Sequence, residues 1–164
     1  MTVDFRQRDR LESLKAGLVA ASALLPTELL LLSLCWFHDV QQDGTPLGYG
    51  HLFASVQTAY PSTWHILFHL GETALASFLF GVTYRYAIRQ DTNPQLKTGT
   101  FLAFALARGL GQVDAQVQLG SDWRLWVGVG GESVGLFAIA ALLLNVALQK
   151  GWIAIAQGRE PDAD

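Results

Sequence analysis

Four ionisable side chains sit inside otherwise apolar stretches: Glu28, Glu72, Arg108 and Glu132. A charge at the centre of a bilayer costs roughly 2.5–3.5 kcal/mol on insertion scales, so such groups normally face the protein interior. Their chemistry there is proton exchange, cation binding or mutual pairing. Three carboxylates and one guanidinium leave two negative charges if all ionise, which a dry interior does not tolerate. A proton, a cation or a partner's positive charge must then make up the difference.

Helical spacing gives each of these residues polar or small companions. On the second apolar stretch His65, His69, Glu72 and Ala76 fall on one face, followed by Thr73. On the third, Ala105, Arg108, Gly111 and Gln112 do so. Glu132 is flanked by Gly128, Gly135 and Ser133, and Gly131 with Gly135 forms a GxxxG pair suited to close helix approach. Thus the expected buried cluster is Glu28, Glu72, Arg108 and Glu132, with His65, His69, Thr73, Gln112 and Ser133 as a secondary polar face. No metal site is expected. His65, His69 and Glu72 come nearest to one, but carboxylate-bridged metal bundles use Glu-x-x-His units on several helices, and His69-x-x-Glu72 is reversed and single. No P-loop, dinucleotide fingerprint or nucleophile elbow occurs, so neither an enzyme nor a cofactor is expected.

The elements that carry these residues are four stretches of about 20 residues or more, the length that crosses a hydrocarbon core. They run from about Leu14 to Phe37, Thr63 to Ile88, Thr98 to Val117 and Trp123 to Gln149. Pro26 is expected to kink the first just before Glu28. At 1.5 Å per residue, Glu72 and Glu132 lie roughly 12–14 Å below Trp64 and Trp123. Glu28 and Arg108 reach a similar level from the other side. The composition agrees, with 51% hydrophobic and 15% charged residues. The net charge of −3 argues against nucleic acid, whose binding needs a basic face. The lone Cys35 excludes an internal disulfide.

Nine of the eleven Lys and Arg residues lie at the N-terminus, between the second and third stretches, or after the fourth. By the positive-inside rule both termini are cytoplasmic. Trp36, Tyr60, Trp64, Trp123 and Trp126 would mark the outer interface, and Tyr84, Tyr86 and Trp152 the inner one. The loop from His38 to Ser62 is expected to end in a surface helix over 51–60, and residues 158–164 to form a disordered tail.

The halves also resemble each other. Leu14-Lys15-Ala16-Gly17 matches Leu96-Lys97-Thr98-Gly99, and Gly71-Glu72-Thr73 matches Gly131-Glu132-Ser133. The expected fold is therefore an all-α, single-domain, integral membrane four-helix bundle. It would be built from two parallel two-helix repeats, about 14–89 and 96–150, related by an axis along the membrane normal.

The stretch from Tyr84-Arg85-Tyr86-Ala87-Ile88-Arg89 into Asn93-Pro94-Gln95-Leu96-Lys97-Thr98-Gly99 and on to Gln112 resembles a family of uncharacterised small membrane proteins of cyanobacteria and plastids. The opening Arg8-Asp9-Arg10-Leu11-Glu12-Ser13-Leu14-Lys15-Ala16-Gly17 has the same character. The resemblance implies a photosynthetic setting, in an inner or thylakoid membrane, and no activity. Two functions then compete: an accessory subunit or assembly factor of a larger membrane complex, or a small proton- or cation-coupled transporter. The expected partners are the lipid bilayer and either other membrane subunits or further copies of the chain.

Overall fold

The computed structural model describes residues 2–41, 63–88, 93–118 and 123–156. They form four α-helices: α1 (Thr2–Gln41), α2 (Thr63–Ile88), α3 (Pro94–Gln118) and α4 (Trp123–Gln149). No strand occurs among the described residues. The helices cover the expected apolar stretches, with α1 running, Pro26 included, from twelve residues before Leu14 to four beyond Phe37 and α3 beginning four residues before Thr98. The expected surface helix over 51–60 and the tail 158–164 lie outside the described residues.

Local signals set the helix ends. Asn93 caps α3, its Oδ1 accepting from the Gln95 amide at 2.9 Å, and Pro94 occupies the first helical position, where a missing N–H costs nothing. The chain leaves α4 through Gly151, at φ 70°, a conformation that glycine adopts without strain. The amides of Gly151 and Trp152 bond back to the carbonyls of Leu148 and Ala147 at 3.1 and 2.9 Å, closing a Schellman motif. This turn folds residues 152–156 across the end of the bundle, where Ile153 and Ala156 are buried.

α1 packs along α2 and α3 along α4, and the two hairpins meet through α1 with α4 and α2 with α3. α2 and α4 approach across the middle, whereas α1 and α3 do not. The α1–α2 contact requires Gly81, since a Cβ there would stand 2.3 Å from the Ala16 carbonyl oxygen. Ala16 and Ala20 complete this close seam. At mid-height Phe80 packs on Phe104 and Phe137 with ring centroids 5.4 and 5.1 Å apart in edge-on geometry. Tyr84, expected at an interface, is instead part of this core, and its hydroxyl accepts from Asn145 Nδ2 at 2.9 Å.

The exterior is unusually apolar and the interior is mixed. The buried set includes Glu28, His69, Thr73, Ser77, Arg85, Arg108, Glu132 and Ser133, besides alanines, the aromatic layer and aliphatic side chains such as Leu24, Leu136 and Leu144. The exposed set is rich in large apolar side chains, among them Leu18, Phe68, Leu110, Val127 and Leu142, each more than 60% exposed. Among the described residues two helices, through Gln7–Leu31 and Trp126–Gln149, are long and apolar enough to cross a membrane.

Candidate functional site

All four helices contribute to a buried polar cluster on one side of the aromatic layer. On α2 the inward line is His69, Thr73, Ser77, Phe80 and Tyr84, a spacing of four, four, three and four that keeps one face toward the bundle axis. On α1 Ala16, Ala20, Leu24 and Glu28 follow a strict four-residue spacing. On α3 Ala105 and Arg108 face inward, and on α4 Val129, Glu132, Ser133 and Leu136 do so.

Arg108 stands at the centre. Its Nη2 donates to Glu28 Oε1 at 3.3 Å and to Thr73 Oγ1 at 3.1 Å, while Nη1 donates to Ser133 Oγ at 3.2 Å. This long side chain thereby joins α3 to α1, the two helices that do not approach each other. Ser133 Oγ donates in turn to Gln112 Oε1 at 3.1 Å. Glu28 Oε1 is also hydrogen-bonded to His69 Nε2. Glu28, His69 and Glu132 each place a ligand-type atom within 4.8 Å of the others.

The cluster is incompletely satisfied. Glu28 Oε2, Glu132 Oε2, Arg108 Nε and Gln112 Nε2 are buried and find no hydrogen-bond partner among the described residues. An unpaired buried polar atom costs about 1–3 kcal/mol, more when charged, so four together make this a strained region of the interior.

The expected cluster therefore forms from Glu28, Arg108 and Glu132, joined by His69, Thr73, Ser133 and Gln112. Glu72 does not belong to it. The structure leaves Glu72 exposed on the outside of α2. The reason is angular: Glu72 is one residue, or about 100°, from the inward Thr73, and falls off the His69–Thr73–Ser77 line. The matched triplets Gly71-Glu72-Thr73 and Gly131-Glu132-Ser133 thus converge through their hydroxyls, which both accept from Arg108, and not through their carboxylates. The metal candidates change accordingly. Glu72 is outside, the His65 side chain is not among those described, and only His69 lies in the cluster. Gly131 and Gly135 also depart from expectation. A Cβ at either would meet nothing within 4 Å, so this GxxxG pair makes no close helix approach.

Without Glu72 the charge count improves. Two carboxylates face one guanidinium beside His69, leaving a single negative charge when the imidazole is neutral. One proton or one monovalent cation would cancel it. A divalent ion would leave an excess positive charge against Arg108, which is unfavourable in low dielectric.

A second buried arginine, beyond the aromatic layer, was not expected as a site residue. The positive-inside count places Arg85 with the basic residues that flank the second apolar stretch, yet it is buried. Its Nη2 donates to Asp9 Oδ1 at 2.7 Å, Nη1 to Ser13 Oγ at 2.7 Å and to the Asp9 carbonyl at 3.2 Å, and Nε to the Ala154 carbonyl at 2.8 Å. Tyr86 donates to Asp9 Oδ2 at 2.9 Å, and Glu12 Oε2 accepts from the Ala154 amide at 2.9 Å. This network ties both ends of the chain to the end of α2. The one sequence signal for it was the Arg-Tyr pair four residues or less from the helix end, which basic-residue counting reads as solvated.

In comparisons with known proteins no family model, curated protein or solved structure matches this chain.

Proposed function

We propose that this chain is a four-span membrane protein whose Glu28–His69–Arg108–Glu132 cluster binds and releases one proton, the working part of a small proton- or cation-coupled transporter. The observation that carries the reading is the incomplete pairing of that cluster. Two carboxylate oxygens from different helices lie buried and unpartnered beside a guanidinium, and with both carboxyls ionised one negative charge would be left over. A purely structural network would gain by pairing them. The apolar exterior supports the bilayer setting, because large apolar side chains on the outside are stable in lipid and a liability in water. The two-repeat architecture and the positive-inside orientation fit the hairpin pairing and the shared end at which the start of α1 meets the residues after α4.

Reconstitution into liposomes that contain a pH-sensitive dye tests the reading. Under an imposed membrane potential the wild type should acidify the lumen, and Glu28→Gln or Glu132→Gln should reduce the rate at least tenfold with insertion unchanged. Glu72→Gln, outside the cluster, should keep it. A wild-type rate equal to that of empty liposomes would end the proposal.

One observation favours the accessory-subunit reading as well. Glu72 is exposed roughly 13 Å along α2 from Thr63, among the exposed Phe68, Leu75 and Leu79. A carboxylate facing lipid at that depth is costly. A neighbouring subunit, or a second copy, that donates to Glu72 would remove the cost. Gentle purification of a tagged copy from native membranes tests this: stoichiometric recovery of another subunit, lost in Glu72→Leu, supports it. Recovery of an unaccompanied monomer contradicts it.

A further inference from the structure

A groove of about 420 Å³ runs between α1 and α4 on the outer surface, within the roughly 300–1,000 Å³ range of small-ligand sites. Its walls are Leu31 of α1 and Val127, Leu136 and Ile139 of α4, and its opening is created by Gly128, Gly131 and Gly135. Two polar side chains line it. The Thr27 hydroxyl is spent on its own helix, donating to the Ala23 carbonyl at 2.9 Å. Glu132 is the other. It retains 8% of its exposure, and its Oε2 has no hydrogen-bond partner among the described residues. The groove is thus an apolar slot, open sideways, whose inner wall carries the largely buried Glu132 carboxyl, one oxygen of which lacks a hydrogen-bond partner.

From this geometry we infer that the groove is a lateral binding site for a hydrophobic organic monocation, an amine or onium with an apolar body, whose charge Glu132 receives. The inference deepens the proposed function and rests on it: the cation and the proton would share Glu132, so that one leaves as the other binds. Charge complementarity selects the class of ligand. The groups that face Glu132 are Glu28 on α1, His69 on α2 and Arg108 on α3, and with a neutral imidazole they and Glu132 sum to one negative charge. A single positive charge cancels it; a neutral lipid chain would fill the walls and leave the carboxylate uncompensated. A monocation with apolar substituents satisfies both at once.

The full chain, purified in detergent, would be tested for equilibrium binding of tritiated tetraphenylphosphonium between pH 6 and pH 9. One saturable site per chain is expected. Because the cation competes with one proton, the apparent Kd should weaken on acidification, by up to about tenfold per pH unit. Glu132→Gln should weaken binding at least tenfold at pH 9. Gly131→Leu should do the same by filling the slot, and it should remain folded, since a side chain there meets none of the protein's own atoms at its Cβ. Thermal unfolding of both variants verifies that they remain folded. Binding that is absent, pH-independent, or unchanged in Glu132→Gln overturns the inference. Proton flux in liposomes separates the two ideas: flux without phosphonium binding overturns the groove assignment alone, whereas loss of both overturns the proton reading as well.

Discussion

Among the described residues two arginines are buried, and they are held in opposite ways. Arg85 uses all three of its nitrogens, with bonds of 2.7–3.2 Å to a carboxylate, a hydroxyl and two carbonyls. Arg108 leaves Nε unpartnered, and its remaining bonds, at 3.1–3.3 Å, include none as short as the 2.7–2.8 Å bonds of Arg85. The Arg85 carboxylate partner is itself bonded at both oxygens, by Arg85 and Tyr86. Around Arg108 two carboxylates each keep an oxygen without a partner. Satisfied polar networks rigidify a fold, whereas partly satisfied ones store free energy that ligand or proton binding can release. On this comparison Arg85 fastens the chain ends, and Arg108 organises a site.

Substitutions can break the comparison. Arg85→Ala has the largest expected effect on stability. It removes charge-assisted bonds that tie α1, α2 and the segment after α4 together, and Asp9 is partly exposed, so the loss should be about 2–3 kcal/mol. A drop in the midpoint of thermal unfolding in detergent reads it. Next comes Gly81→Ala, which drives a methyl group into the Ala16 backbone and should cost about 1–3 kcal/mol. Gly131→Ala sharpens that result: the same change on an open face should be neutral or stabilise by about 0.5–1 kcal/mol through helix propensity. Smallest is Glu132→Gln, within about 1 kcal/mol of wild type, because the amide keeps the shape of a buried carboxyl that already has one oxygen without a partner. A large destabilisation by Glu132→Gln would mean that the Arg108 cluster is structural after all.

Much of this was legible in the sequence, for identifiable reasons. The four helices follow from apolar length, and Glu28, Arg108 and Glu132 from their placement within apolar stretches. His69, Thr73, Ser133 and Gln112 follow from helical spacing. Glu72 was misplaced because the resemblance of its triplet to that of Glu132 suggested equal orientation. A triplet spans most of a helical turn, and here the hydroxyl member, not the acid, holds the equivalent place. The Arg85 network was invisible for another reason. Its partners Asp9, Ser13 and Ala154 lie 76, 72 and 69 residues away along the chain, and no local periodicity announces them. Likewise Tyr84 reads as an interfacial aromatic by position, and only the packing of Phe80 and Asn145 shows it to be core.

The central claim is that one arginine works and the other holds. Paired lysine variants test it most directly, because lysine keeps the charge and loses the planar fork. Proton flux into liposomes would be measured for Arg108→Lys and Arg85→Lys, each expressed per folded molecule. The account predicts that Arg108→Lys loses flux at least tenfold with little change in unfolding temperature, while Arg85→Lys unfolds earlier and keeps its flux per folded molecule. Flux that falls in both only in proportion to lost stability would contradict it.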